Sequence, residues 1–559
     1  MPILKTSYAE RMARLRGKLT LAGRTARPLE PLDGVARTSS QTTYTDSLHG
    51  KGDYIRQSPG GPVVDPCCDQ DMIIHIRTGG LTIVLPFTLV EGDRITVTWG
   101  DGSKPEDYNS SSGPITHTYE SDLTDYYIHV KGDATAFGQN GGYTGNDLVI
   151  GVEQWGYLGL QSLANAFFFC VNLEYVPPTL PSSVTDTHGM FNHATMFDGD
   201  ITGWDVSRVT SMKNMFTGAS AFNQDLSAWN TGAVTRMESM FKNASSFNGD
   251  VSTWDVSQVT SMYGMFNNAS SFAGDLSAWD TGAVTNMSIM FQNASHFNSD
   301  LNGWNVAKVE YMDGMFNAAI RFNSSLSAWN VGNVILMSDM FNTATAFQGL
   351  GGLTGWNTGK VISLYSTFAS AHAFNGDVST WNTGAVTTMQ GTFFHCYAFN
   401  KDIGGWNVSK VTEMNNMFRG ATSFNKNLSN WVVIAVTNMN CMFQGATAFN
   451  NNGSNGINNW DVHNVTDMRF MFYGATAFNQ PIGNWNVGNS TNFMYAMLAY
   501  ASNFQQVLYN WHINWVAGSA NGLLYGTRPD MFNNAGGGYW PHYLAYTHDF
   551  QAHPDAPPA

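Results

Sequence analysis

The chain has 559 residues, more than one ordinary compact domain uses unless it is built from repeats. Apolar residues make up 43% and charged residues 12%, which fits a folded, soluble protein with a sparsely charged surface; 56 glycines, 17 tryptophans and 35 phenylalanines point to tight turns and aromatic packing rather than helical bundles. The formal charge of −15 is uneven: residues 1–27 hold seven basic residues against Glu10, a local +6, leaving −21 for the rest, so nucleic-acid binding by the body is excluded while the basic start stays open.

Residues 1–69 read as an extended basic arm, rich in Ser, Thr, Gly and Pro and too poor in apolar residues for a core of its own. Arg11, Arg14, Arg16, Lys18, Arg24 and Arg27 are the residues through which such an arm would hold the protein in a larger assembly, or fold back on its acidic body. No N-terminal stretch has the apolar core of a secretory signal, so a surface location would need another route. The longest apolar run, "LTIVLPFTLV" at 81–90, is ten residues with a proline inside it and cannot span a bilayer.

Residues 70–150 change character. "DMIIHI", "LTIVLPF", "RITVTWGDG", "ITHTY" and "YYIHV" are short apolar or alternating runs bounded by turn residues, and they predict a small all-β sandwich. "TWGDG" followed by "HTY" and "YYIHV" resembles the PKD-type immunoglobulin-like domain, with Trp99, Asp101, Gly102, His117 and Tyr119 on that motif. Asp101 and His117 bring no nucleophile or second carboxylate with them, so His117 reads as a packed strand residue.

From 151 to 515 the chain repeats itself. Trp204, Trp229, Trp254, Trp279, Trp304, Trp329, Trp356, Trp381, Trp406, Trp431, Trp460, Trp485 and Trp511 recur mostly every 25 residues, and the longer intervals fall just before the tryptophan, at "FQGLGGLTGW" and "FNNNGSNGINNW". Met212, Met215, Phe216 and Ala219 sit at i, i+3, i+4 and i+7, which predicts a short helical turn; Leu226 and Trp229 then predict a short strand. The expected fold is a leucine-rich-repeat-like solenoid of about 13–14 coils, with short parallel strands and the Trp, Met and Phe columns as its interior. A carbohydrate-binding stripe is the alternative reading of the tryptophans.

Two polar columns accompany the core. Asn223, Asn248, Asn298, Asn323, Asn375, Asn400, Asn425, Asn450 and Asn479 each follow a phenylalanine and are suited to satisfying backbone groups at a corner. Asp200, Asp225, Asp250, Asp275, Asp300, Asp377 and Asp402 stand four residues before the tryptophan. Stacked carboxylates repel unless they accept backbone N–H bonds, bind a cation or face water, so turn capping and calcium between coils both stay open. No other cofactor is expected. The five cysteines show no metal spacing; Cys170 and Cys396 occupy small-residue positions and read as buried hydrophobes.

The pattern "VTxMxxMFxxAxxFNxDLSxWxxxxVT" resembles the BspA-like, leucine-rich-repeat-related surface protein repeat found in mycoplasma lipoproteins, other bacteria, protists and some large viruses. The resemblance implies a right-handed leucine-rich-repeat solenoid and roles in adhesion, surface display or protein interaction. Residues 516–559, aromatic and rich in Gly and Pro, read as a C-terminal cap and tail. The functional expectation is a non-enzymatic surface or extracellular protein that recognises proteins or glycans. Its alternative is a virion or particle component anchored by the arm. An enzyme is disfavoured because polar residues recur identically from unit to unit, whereas catalytic sites are singular.

Overall fold

A computed structural model describes residues 70–120, 123–488, 494–506, 508 and 511. The basic arm and the C-terminal segment 516–559 lie outside the described residues. The chain divides into compact units Met1–Val64 and Asp65–Ala559, and all described residues belong to the second.

Regular strands are confined to its first part: β1 (Met72–Thr78), β2 (Thr82–Leu85), β3 (Phe87–Thr88), β4 (Arg94–Thr98), β5 (Glu106–Asn109), β6 (Ile115–Thr118), β7 (Thr124–Gly132), β8 (Ala136–Phe137) and β9 (Val149–Gln154). They form one five-stranded sheet, ordered β5-β4-β7-β1-β9, and two two-stranded sheets, β2-β6 and β3-β8. Every pairing is antiparallel. Lying between β7 and β9, β1 is buried almost throughout and so carries "MIIHI" rather than an alternating pattern.

Beyond β9 each 25-residue unit is a succession of turns. Met212, Met215, Phe216, Ala219, Phe222, Leu226 and Trp229 all point inward and are at most 2% exposed. Neighbouring indoles such as Trp204–Trp229, Trp254–Trp279 and Trp460–Trp485 lie 6.0–6.4 Å apart, within 9° of parallel. Phe216 stacks on Phe241 at 5.5 Å and Phe222 on Phe247 at 5.9 Å, and within a unit Phe216 meets Phe222 at 4.0 Å. This answers the column of tryptophans: it is core, because each ring is buried between its own copies. The hydrophobic interior is continuous from Met72 to Trp511.

The expected leucine-rich-repeat-like solenoid, with parallel strands and short helical turns, is overturned. No α-helix occurs among the described residues, and the helical pieces are short 3-10 turns, among them Asn146–Leu148, Asn451–Gly453 and Asn455–Asn459. The sheets are antiparallel and lie between Met72 and Gln154, and successive units share only isolated one-residue parallel bridges such as Asp186↔Ser211 and Ser211↔Arg236. The reason is local. Two positions per unit, four residues apart, are left-handed, as at Asn214 (φ 58°) and Gly218 (φ 72°), and an α-helix cannot pass through them. Alternate amides then leave the unit: Met212, Asn214, Phe216 and Gly218 donate to the carbonyls of Arg236, Glu238, Met240 and Lys242 at 2.7–2.9 Å. The intervening amides close turns within the unit, such as Met215 to Met212 and Ala219 to Phe216. The expected strand through Leu226 and Trp229 is likewise a turn, closed by the Trp229 amide on the Leu226 carbonyl at 3.0 Å.

The first unit is closed by β8 and the segment that follows it. Phe137 N–H, the Tyr143 hydroxyl and Asn146 Nδ2 donate to the carbonyls of Ser162, Ala166 and Phe168. Gly138, at φ +142°, passes so close that a Cβ would lie 2.0 Å from the Ala164 carbonyl oxygen. On β9, Gly151 leaves room for the Tyr175 ring, which a Cβ would meet at 2.4 Å, and the Tyr175 hydroxyl donates to Glu153 and bonds His75 Nδ1.

Candidate functional site

A repeat surface is best searched for what does not repeat. Most of its polar side chains are committed to the fold. The asparagine column is a ladder: Asn248 N–H donates to Asn223 Oδ1 at 2.7 Å, Asn425 to Asn400 at 3.0 Å and Asn479 to Asn450 at 2.9 Å. A second column consists of Ser220, Ser270, Ser295, Thr345, Thr422, Thr447 and Thr476, each hydroxyl returning to the carbonyl of its counterpart one unit earlier. The column tryptophans from Trp229 onward also reach back one unit from inside, each Nε1–H donating to the carbonyl three residues before the preceding tryptophan, as Trp254 to Leu226 and Trp406 to Val378 at 3.0 Å.

The aspartate column caps turns. Oδ1 of Asp200, Asp225, Asp250, Asp275, Asp300, Asp377 and Asp402 accepts the amide two residues on at 2.8–3.1 Å. At Asp225 and Asp275 the amides and then the hydroxyls of Ser227 and Ser277 hold the carboxyl below its usual range; at Asp200 the Thr202 hydroxyl leads and its amide follows. Among the described residues no group of three or more His, Cys, Asp and Glu converges as a cation would require. Arg11, Arg14, Arg16, Lys18, Arg24 and Arg27 fall outside the described residues.

The motif at the start of the sheet region is assembled as a packed corner. His117 stacks on Trp99 at 4.8 Å, meets Tyr119 edge-on at 4.7 Å, and its Nε2 lies 2.7 Å from Asp101. The Tyr119 hydroxyl donates to the Trp99 carbonyl at 2.8 Å. Burial pushes the Asp101 carboxyl up, but the Ser103 hydroxyl and amide and His117 outweigh it and bring it down to about 2. Cys170 and Cys396 are fully buried, and burial drives both thiols upward, Cys170 to about 12.

The pattern breaks in several places: the exposed Phe169 stacks on His193 at 4.4 Å, Ile320 stands exposed in the Ser/Thr column, Phe470 meets Tyr473 and Tyr495 edge-on, and the departure around Tyr397 joins its rings to an arginine. In the Ser/Thr column two consecutive units carry His372 and Tyr397 instead. Beside them, positions that hold Asn243, Asn268 and Asn293 or Asn267, Asn317 and Asn342 elsewhere hold His395, Phe394 and Arg419. The substitutions touch one another: Tyr397 stacks on His372 at 4.7 Å and His395 at 5.8 Å, His395 on Phe394 at 4.0 Å, and the Arg419 guanidinium lies 5.6 Å above the Phe394 ring. Tyr397 is 42% exposed. Burial first, then the charges of Arg419 and His372, lower the pKa of His395. Reading the units as copies hides this cluster; comparing them column by column exposes it, and that signal lies in the sequence alone.

The fold and this surface therefore define a repeat protein whose scaffold is uniform and whose individuality lies in a few exposed side chains. A family described as "Mycoplasma protein of unknown function, DUF285" matches residues 161–277, 250–351, 346–456 and 454–528, more than half of the chain, which belongs to that family. No curated protein matches it.

Proposed function

We propose that the chain is a non-enzymatic surface protein whose repeat column displays a recognition surface for a protein or a glycan, at a cell surface or outside it. The observation that carries this reading is the His372–Tyr397–His395–Phe394–Arg419 cluster, in which His372 and Tyr397 are exposed and a guanidinium joins the rings, on a surface where many other polar side chains are spent on backbone hydrogen bonds. Exposed, unrepeated aromatic and arginine side chains are the residues that anchor binding. Membership of a mycoplasma repeat family supports a surface setting, and we read the repeats more finely as BspA-like. We read the region of β1–β9 as a PKD-like module, on the support of the Trp99–His117–Tyr119 corner. No helix among the described residues is long and apolar enough to cross a membrane.

Antibodies against residues 200–480 test the reading on intact cells or particles that carry the native chain. Labelling without permeabilisation is expected; labelling only after lysis overturns it. The charge contrast between a +6 arm and a −21 remainder favours one alternative, a virion or particle component that the arm ties to neighbouring subunits. On that alternative, deletion of residues 1–69 abolishes incorporation into the particle and leaves the repeats folded.

A further inference from the structure

We propose that the cluster around Tyr397 is a binding site for an acidic saccharide, a pyranose bearing a carboxylate; the proposal deepens the recognition reading above. Three observations lead there. The first is shape: His372, Tyr397, His395 and Phe394 form a continuous run of stacked rings, 4.7, 5.8 and 4.0 Å from one to the next. Sugars present patches of C–H on their ring faces, and exposed aromatic faces are the surfaces that accept them, as they accept other flat, half-polar partners.

The second is charge. Residues 360–450 carry Lys360, Lys401, Lys410, Arg419 and Lys426 against Asp377, Asp402 and Glu413, a net of five minus three, or +2, within a chain of −15. Arg419 closes the aromatic run with a fork of donors matched to a carboxylate. One guanidinium nitrogen already donates to Asn416 Oδ1 at 3.4 Å, and a neutral sugar would offer the remaining donors no carboxylate.

The third is the direction of departure from the repeat. At the Tyr397 column, Thr422 and Thr447 satisfy the preceding carbonyl with their hydroxyls, which His372 and Tyr397 forgo. At the His395 column, Asn268 and Asn293 link amide to amide along the surface at 2.6–2.7 Å, which His395 also forgoes. The cluster therefore puts stacked rings, two of them exposed at His372 and Tyr397, where other units place hydrogen-bonded polar side chains.

The test uses the full chain and variants that restore the residue other units already carry: Tyr397→Thr, His395→Asn and Arg419→Asn. Because the same residues stand at these columns elsewhere, melting temperature should be unchanged; if Tyr397→Thr melts early it is replaced by Tyr397→Ser, and if Arg419→Asn does, by Arg419→Gln, the residue of the next unit at Gln444. Binding is read by calorimetry with 3′-sialyllactose, a trigalacturonate and neutral lactose as probes. The expected result is that one or both acidic probes bind at least tenfold tighter than lactose, with the two separating a sialic from a uronic acid ligand. Tyr397→Thr and Arg419→Asn should each weaken that binding at least tenfold. Equal binding of lactose and the acidic probes, binding that survives both substitutions, or no binding of any probe overturns the proposal. Since purified protein is used, those outcomes are independent of whether the chain is found at a surface.

Discussion

Trp279 donates its indole N–H to the carbonyl of Val251, one turn before the tryptophan of the preceding unit, at 3.0 Å, while its ring lies parallel to that of Trp254. One side chain thus supplies both packing area and the hydrogen bond a buried carbonyl requires. Trp279→Ala should cost about 3–5 kcal/mol. Trp279→Phe keeps most of the area but strands the carbonyl, and should cost about 1–3 kcal/mol. Guanidinium unfolding of the full chain followed by hydrogen exchange checks both, with the loss of protection greatest in the units on either side; equal costs for Ala and Phe would count against the hydrogen bond.

Asn400 is the acceptor for the Asn425 amide and sends its own amide to Asn375, 3.0 Å in each case. Asn400→Leu should destabilise by about 1 kcal/mol because an amide at the corner loses its partner. Asn400→Asp retains an acceptor and should cost less, since Asp198 already plays that part for the Asn223 amide. Denaturant midpoints of the two variants rank them.

The turn carboxylates make stability depend on acid. Their pKa values are depressed in the fold at Asp200, Asp225, Asp275 and Asp377, and Asp101 sits at about 2. A depressed carboxylate stabilises above its unfolded pKa of about 3.9 and loses that contribution as pH falls through the folded value. Melting should therefore be flat from pH 7 to about 5 and fall between about 4 and 2. Asp225→Asn with Asp275→Asn should melt normally at pH 7, because Asn427 caps the equivalent turn of its unit, and should show a shallower acid loss. A chelator should leave the melting temperature at pH 7 unchanged, and a fall on chelation restored by Ca²⁺ would return the aspartates to the role of ligands.

Burial raises the thiols of Cys170 and Cys396, and the Cys396 Sγ donates to the Phe368 carbonyl at 2.7 Å. Iodoacetamide at pH 8 should leave both unmodified in native protein and label both in guanidinium, as read by peptide mass spectrometry.

The interior was legible in the sequence because burial repeats: Trp229, Phe216 and Phe222 return in nearly every unit and all face inward. The local conformation was not. Apolar residues at Met212, Met215, Phe216 and Ala219 satisfy the helical period, yet a turn path through left-handed Asn214 and Gly218 buries the same four. Two small or polar residues set four apart were the available signal, weakened where Ile289 and Thr343 take the left-handed conformation despite their branched Cβ. The asparagine ladder followed from its position after the phenylalanine. The Tyr397 cluster was hidden by the habit of averaging units, since a column of Ser and Thr seems complete until its exceptions are placed side by side.

The two longer units stack like the others: Trp329 and Trp356 are 6.3 Å apart, and Trp431 and Trp460 are 6.4 Å apart. Extra residues are thus absorbed at the rim, and each unit hands the next the same amides and carbonyls it received. A gene encoding such a column can gain or lose whole units by recombination without any unit having to be reinvented. Duplication between the closing segment at Phe137–Asn146 and the cluster at Tyr397 would carry the cluster farther from the β-sheet and leave its chemistry intact. Reach and specificity are separately heritable.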